Sequence, residues 1–246
     1  MSEEICVSAA DLSVDIGFPT GPRVPWQTTM ALAKTVKACT QRRIDIDVAC
    51  IAGSSVVTWA RDKVLDTFLT SERQAKYLFW IDSDIAWQPA DFLRLLALAT
   101  RYGVVCATYA QKTEAQAIVI RRESLTEFTL NPHGLIEVDG AGLGFTVVSR
   151  EILQALADTK PWVFDPAEGK SIRQVFRLDT VDRGHEHPDV RHEDVAFFAD
   201  LREMGYKVWL DPTIELGHIG PREYRNNPMK ALRLDEAFRQ NGGVNA

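Results

Sequence analysis

The sequence predicts an α/β fold, a mostly parallel Rossmann-type sheet flanked by helices in one domain spanning 1–246. Three observations carry this. Segments of strand and helix character alternate through the first half, which implies parallel strands joined by crossover helices. The run Tyr77-Leu-Phe-Trp-Ile81 has a large apolar residue at every position, as a strand buried on both faces requires. With 246 residues, 46% apolar and 25% charged, the chain has material for one sizeable core.

Taken in order, Ile5 to Ala9 reads as a short strand, followed by a loop carrying Pro19, Gly21, Pro22 and Pro25. Trp26 to Thr40 is helical, with Met30, Leu32, Ala33, Val36 and Ala38 favouring one side. Ile44 to Ile51 alternates like a strand, and Gly53-Ser54-Ser55 ends it. Val56 to Leu69 has apolar residues at helical spacing. After the buried strand Tyr77 to Ile81, Pro89 opens a helix through Leu98, where its missing N–H costs little. Val104 to Thr108, Gln116 to Arg121, Leu135 to Val138 and Phe145 to Val148 read as strands, and Glu151 to Ala157 as a short helix. Thr159 to His192 is loop-rich, with Pro161, Pro166, Gly184 and Pro188. His192 to Met204 is an amphipathic helix, Lys207 to Leu210 and Thr213 to Leu216 are strands, and a helix near Pro228 to Arg239 closes the chain.

A net charge of −6 argues against bulk electrostatic gripping of nucleic acid, although Arg121-Arg122 and Pro221 to Arg225 are locally positive. Cys6, Cys39, Cys50 and Cys106 are widely spaced in apolar surroundings and read as buried reduced thiols. The N-terminus opens on Glu3-Glu4 without a signal-peptide pattern, and no apolar run reaches the roughly 18 residues of a membrane span. The expectation is a cytoplasmic protein.

In parallel sheets ligands sit beyond the carboxyl ends of the strands. That places Ser54, Ser55, Asp82 to Asp84 and Tyr109 to Lys112 along one rim. If strand geometry persists to Asp84, Asp82 and Asp84 share a side and form a seat for Mg²⁺ or Mn²⁺. The alternative is that one of them caps the following helix. Asp45 and Asp47 have the same spacing but look like the solvated face of an alternating strand. Glu193 and Asp194 open a helix, where capping and the helix dipole favour carboxylates; as a functional pair, one is a general base. His218, bracketed by Gly217 and Gly220, belongs at a sheet edge or in a loop, as a metal ligand or as a structural imidazole. Gly140-Ala-Gly-Leu-Gly144 marks either close approach of backbone to a ligand or a tight turn.

Five segments in order, GSSVVTWARDKVLDTFL, YLFWIDSDIAWQPADFLRLL, VVCATYAQK, GAGLGFTVVSR and RHEDVAFFADLREMGYKVWLDPTIELGHIG, resemble the GT-A class of nucleotide-sugar glycosyltransferases. The resemblance spans most of Gly53 to Gly220 and is nearest to small family-two-like enzymes of bacteria and bacteriophages. It implies a GT-A-like fold with a nucleotide-binding half (1–112) and an acceptor-binding, catalytic half (113–246). It implies a nucleoside-diphosphate sugar donor, UDP favoured, and Mn²⁺ or Mg²⁺ held by Asp84 and His218 with Asp82 beside them. Ser54, Arg61, Asp62, Asp82, Ser83, Asp84, Tyr109, Lys112 and Gly142 would face the donor; separately, the charge and position of the Arg222 to Arg225 segment place Arg222 where it would close over the diphosphate. Ala110 departs from the proline usual between the tyrosine and lysine of that segment. Asp194 would deprotonate the acceptor hydroxyl and Glu193 orient the site, giving inversion at the anomeric carbon.

A metal-dependent nucleotidyltransferase or phosphohydrolase would also gather aspartates at such a rim, and a non-catalytic binder would hold the nucleotide sugar without turnover. A glycan, a protein, a lipid carrier or a modified DNA base all fit as acceptor. Trp162, Phe164, Arg173, His185 and His187 lie in the segment expected to shape that site.

Overall fold

The computed structural model describes residues 7–121 and 128–234. After a 3₁₀ turn at Ala9–Asp11 the elements are β1 (Ser13–Thr20), α1 (Trp26–Gln41), β2 (Asp45–Ala52), α2 (Val57–Thr70), β3 (Tyr77–Ile81), β4 (Ile85–Ala86), α3 (Pro89–Tyr102) and β5 (Val104–Cys106). Then come β6 (Ile120–Arg121), β7 (Ile136–Val138), β8 (Gly140–Ala141), β9 (Phe145–Ser149), α4 (Arg150–Asp158), β10 (Trp162–Asp165) and β11 (Lys170–Arg173). The chain continues through β12 (Asp179–Val181), β13 (Asp189–Arg191), α5 (Glu193–Glu203), β14 (Val208–Leu210), β15 (Gly217–Ile219), β16 (Glu223–Tyr224) and α6 (Pro228–Ala231).

The central sheet has seven strands in the order β2-β1-β3-β9-β5-β14-β7. β1, β2, β3, β5 and β14 run one way, and β9 and β7 run against them. The fold is therefore α/β, with a mostly parallel sheet flanked by helices, as the sequence predicts.

Period-two alternation along β3 decides which layer each side chain joins. Leu78 and Trp80 pack with Val64, Leu65 and Phe68 of α2, Leu153 and Leu156 of α4, and Phe197 and Phe198 of α5. Phe79 and Ile81 pack on the other face with Ala31 and Cys39 of α1 and Phe92, Leu95 and Leu96 of α3. Each of Leu78, Phe79, Trp80 and Ile81 is at most 1% exposed. At about 25 cal/mol per Å² of apolar surface, four such side chains supply several kcal/mol, and β3 is the fixed centre on which the rim is built.

Several sequence expectations are corrected. The first sheet strand is Ser13–Thr20, not Ile5 to Ala9; residues 5 and 6 of that expectation lie outside the described residues. Val14, Ile16 and Phe18 supply its apolar face. Pro19 is tolerated because pairing with β3 ends at Gly17–Trp80, so no ladder N–H is needed beyond it on that side.

The buried stripe of α1 is Thr28, Ala31, Thr35 and Cys39, while Met30 is exposed. Small residues let α1 lie close to its neighbours, and the Thr35 hydroxyl accepts a hydrogen bond from Trp87 Nε1 at 2.9 Å. Thr159 to His192 is built on two hairpins, β10–β11 and β12–β13, rather than on loop alone. Gln116 to Arg121 narrows to β6, and the strand placed at Thr213 to Leu216 starts instead at Gly217. The closing helix is Pro228–Ala231 within the described residues; positions from 235 onward lie outside them. Cys39 and Cys106 are buried as expected, but Cys50, on the sheet-edge strand β2, is exposed, and Cys6 lies outside the described residues. Among the described residues no helix is long and apolar enough to cross a membrane.

Candidate active site

The rim forms where the parallel strands end. Asp82 follows β3, Tyr109 and Lys112 follow β5, and Ser54 follows β2. β9 runs the other way, so Gly142 and Gly144, which precede it, arrive at the same rim; Asp82 N–H donates to Gly144 O at 3.0 Å.

The strand does not persist through Asp84. A turn at Asp82–Ser83–Asp84, with Ile85 N–H donating to Asp82 O at 3.1 Å, sends the two carboxylates to different partners. Neither caps α3, because Gln88 and Asp91 form that cap. Asp82 accepts from Arg61 Nη2 at 2.9 Å, and Arg61 Nη1 donates to Glu193 at 3.1 Å. Arg61 is 4% exposed and ties α2, the β3 turn and α5 together. Burial disfavours its charge, but Asp82 and Glu193 outweigh that and keep the guanidinium charged.

Asp84 meets two other groups. Lys112 Nζ contacts its Oδ2, and His218 Nε2 stands 3.6 Å from its Oδ1. His218 arrives through a separate three-stranded ladder, β16-β15-β4, in which it pairs with Ile85 while Ile219 N–H donates to Asp84 O at 2.7 Å. It therefore lies in a strand, not a loop. Burial works to raise the Asp84 carboxyl, but His218 and Lys112 hold it below the usual carboxylate range.

The imidazole is oriented. His218 Nδ1 donates to Ala110 O at 2.8 Å, since a carbonyl only accepts. In the neutral ring Nε2 is then an acceptor facing another acceptor, Asp84 Oδ1. A cation between them, either a proton on Nε2 or a divalent metal, resolves the clash, and anchoring of the distal ring nitrogen is the usual support of a ligating histidine. One carboxylate oxygen with one imidazole is a donor set that could hold a divalent cation such as Mn²⁺ or Mg²⁺, with its remaining ligands supplied from elsewhere. Among the described residues no group of three or more His, Cys, Asp or Glu converges on one point, because Asp82 turns toward Arg61.

The glycine run is explained by close approach. A Cβ on Gly142 would overlap the Tyr109 hydroxyl, and one on Gly144 would overlap the Asp82 carboxylate. Tyr109 is 8% exposed and packs edge-on against His218, with ring centroids 4.9 Å apart. Burial, with Asp82 and Asp194 nearby, pushes its hydroxyl well above 10, so it is a neutral donor.

Asp194, at the start of α5, accepts from Val195 N–H at 2.7 Å. Burial and the adjacent Glu193 charge raise its carboxyl above the ordinary aspartate value, the direction a general base needs. It lines a cleft of about 490 Å³ together with Gln111, Ile118, Ile120, Arg121 and His192.

The other expected donor residues lie less centrally. Asp62 is 1% exposed and turns inward, its Oδ1 accepting from Val175 and Phe176 N–H at 2.8 and 2.9 Å. Ser54 closes the turn before α2 by donating to Val56 O at 2.9 Å, and Ser83 is half-buried in the aspartate turn. Arg222 is exposed and sits over the Tyr224 ring at 4.9 Å. Sequence reasoning included Gln111 only as part of the rim segment Tyr109 to Lys112 and missed Arg121 as a cleft residue, where the one signal was local positive charge.

No protein-family model matches the chain, and no curated protein matches it. Solved structures do. A197 from STIV superposes with a TM-score of 0.55 at 20% identity, over 85% of this chain and 86% of that one. The glycosyltransferase GalNAc-T7, solved with UDP, GalNAc and Mn²⁺, gives 0.47 at 10% identity over 90% of this chain and 47% of its own. The 4-diphosphocytidyl-2C-methyl-D-erythritol synthase of Anaerococcus prevotii gives 0.37 at 10% identity over 66% of this chain and 83% of its own. Of these three the first exceeds 0.5, and at its level of identity the likeness concerns the fold.

Proposed function

We propose that the chain is a metal-dependent glycosyltransferase of the small family-two-like type. It moves a sugar from a nucleoside-diphosphate sugar, UDP favoured, to an acceptor hydroxyl with inversion. Residues 1–112 bind the nucleotide, and 113–246 bind the acceptor and supply the base. The observation that carries this is the meeting of Asp84 and His218, far apart in sequence, with His218 Nδ1 anchored so that Nε2 faces the carboxylate.

Asp84 and His218 would hold Mn²⁺ or Mg²⁺, which supplies charge neutralisation for the departing diphosphate. Arg61 fixes Asp82 and Glu193, and the Tyr109 hydroxyl offers a neutral donor at the same wall. Asp194 takes the proton of the acceptor hydroxyl as its oxygen attacks the anomeric carbon. The carbon–phosphate oxygen bond breaks, and the electron pair leaves with the nucleoside diphosphate. The cleft beside Asp194 admits the acceptor, with Arg121 and Gln111 on its wall.

The test is thermal stabilisation by UDP, GDP, CDP and TDP, each with and without Mn²⁺, for the native chain and Asp84→Ala. A ligand at about 100 times its Kd stabilises by about 2.7 kcal/mol. A Mn²⁺-dependent shift with one diphosphate, lost in Asp84→Ala, is expected. A shift indifferent to Asp84, or none with any nucleotide, refutes the donor site.

A further inference from the structure

Resting on the donor site just described, we propose that Lys112 is an exchangeable cation. It neutralises Asp84 before metal binds, and on displacement it transfers to the donor diphosphate, so that metal and nucleotide bind cooperatively.

The Asp84 carboxylate has two oxygens and two basic neighbours, Lys112 on Oδ2 and His218 across from Oδ1. The histidine is anchored through Nδ1 to Ala110 and paired in a ladder, so it stays. The lysine has no such anchor. It lies in the segment between β5 and β6, where positions 111 to 115 are exposed, and its side chain keeps 32% of its surface. Its stem passes over Gly220, where a Cβ would come within 3.2 Å of Lys112 Cδ, so the glycine leaves room for the stem.

An ammonium on a four-carbon stem is a point charge with three donors, and it can exchange one anion for another by rotating about its stem. Arg61 is the contrast: its fork is buried and committed to both Asp82 and Glu193.

A divalent ion at Oδ1 and an ammonium at Oδ2 of the same carboxylate repel each other, so metal entry without donor favours release of the lysine into solvent. With donor present, the displaced ammonium meets phosphate oxygens instead. Each ligand then improves binding of the other by the same factor, as linkage requires. Lys112 is on this account a positioning residue that links the two binding events.

The experiment counts free Mn²⁺ by its electron paramagnetic resonance signal during titration of the native chain, Lys112→Met and Asp84→Ala, each with and without UDP. Removing one positive charge a few ångströms from a divalent ion should tighten Mn²⁺ binding in the absence of UDP by about tenfold or more. The factor by which UDP improves Mn²⁺ affinity should shrink in the same variant. Lys112→Gln should reproduce both effects, which separates them from a folding defect peculiar to methionine. Unchanged or weaker Mn²⁺ affinity in both lysine variants overturns the exchange while leaving the metal site standing. Mn²⁺ binding that survives in Asp84→Ala, or fails in every protein even with UDP, overturns the donor site and the exchange with it.

Discussion

Asp62 makes stability depend on pH in a way that one substitution isolates. Its carboxyl is 1% exposed and is raised from 3.8 to about 7, with burial pushing it up against the pull of the Val175 and Phe176 N–H groups. A group whose folded value is raised stabilises most below its unfolded value, and that contribution is lost as pH climbs through the folded value. The window here runs from about 4 to about 7. At 1.36 kcal/mol per unit, the part of the window between pH 5 and pH 8 corresponds to roughly 2 to 3 kcal/mol.

Asp62→Asn keeps an oxygen for both backbone donors but cannot ionise. Urea unfolding of both proteins across pH 5 to 8 should show the native chain losing that amount relative to the variant. Any constant offset from the new amide cancels in the comparison, as do other titrating groups. Parallel profiles would mean that Asp62 is not buried as an acid, and the account of how it holds Val175 and Phe176 to α2 would fail.

Arg61→Leu leaves Asp82 and Glu193 without their shared cation. Because those side chains keep 27% and 16% exposure, the loss should be near the lower end of the range for breaking a buried ion pair, roughly 3 kcal/mol by denaturant unfolding. A loss below about 1 kcal/mol would show that the bridge contributes only as a surface ion pair does. Gly142→Ala should destabilise by about 1–3 kcal/mol through collision with the Tyr109 hydroxyl. Tyr109→Phe in the same chain should recover only the hydroxyl's share, because the ring carbon Cζ still meets the added Cβ; simple additivity in a double-mutant cycle with Tyr109→Ala, which removes the ring, would refute the contact. Asp194→Asn should lower turnover by about 10²–10⁴-fold while leaving the UDP–Mn²⁺ thermal shift intact. In the native chain the acid limb of kcat/KM should lie above the ordinary aspartate range, because Asp194 must be ionised to act and burial raises its carboxyl. A limb at the ordinary value would exclude Asp194 as the base.

The sequence was legible where the signal is local. Tyr77 to Ile81 matches β3 at both ends, and Pro89 opens α3 as expected, because burial on both faces and the proline constraint act within a few residues. It failed where composition misleads. The α1 face carrying Met30 looked like the inner one, yet Thr28 and Thr35 are buried, since close approach favours small side chains and Trp87 supplies a partner. The hairpins within Thr159 to His192 were hidden because each is short and its exposed residues, Trp162, Phe164 and Val190 among them, break the simple apolar-in pattern.

By itself the sequence determined the alternation of strands and helices, the rim where the parallel strands end, and the residue types gathered there. These follow from periodicity and from the direction in which crossovers must run. Only the tertiary structure decided which carboxylate meets which cation. A turn of three residues sends Asp82 to Arg61 and Asp84 to Lys112, and pairing of His218 with Ile85 in a second small sheet brings the imidazole to Asp84. Such contacts depend on strand register between segments far apart in sequence. A shift of one residue would turn every side chain to the other face.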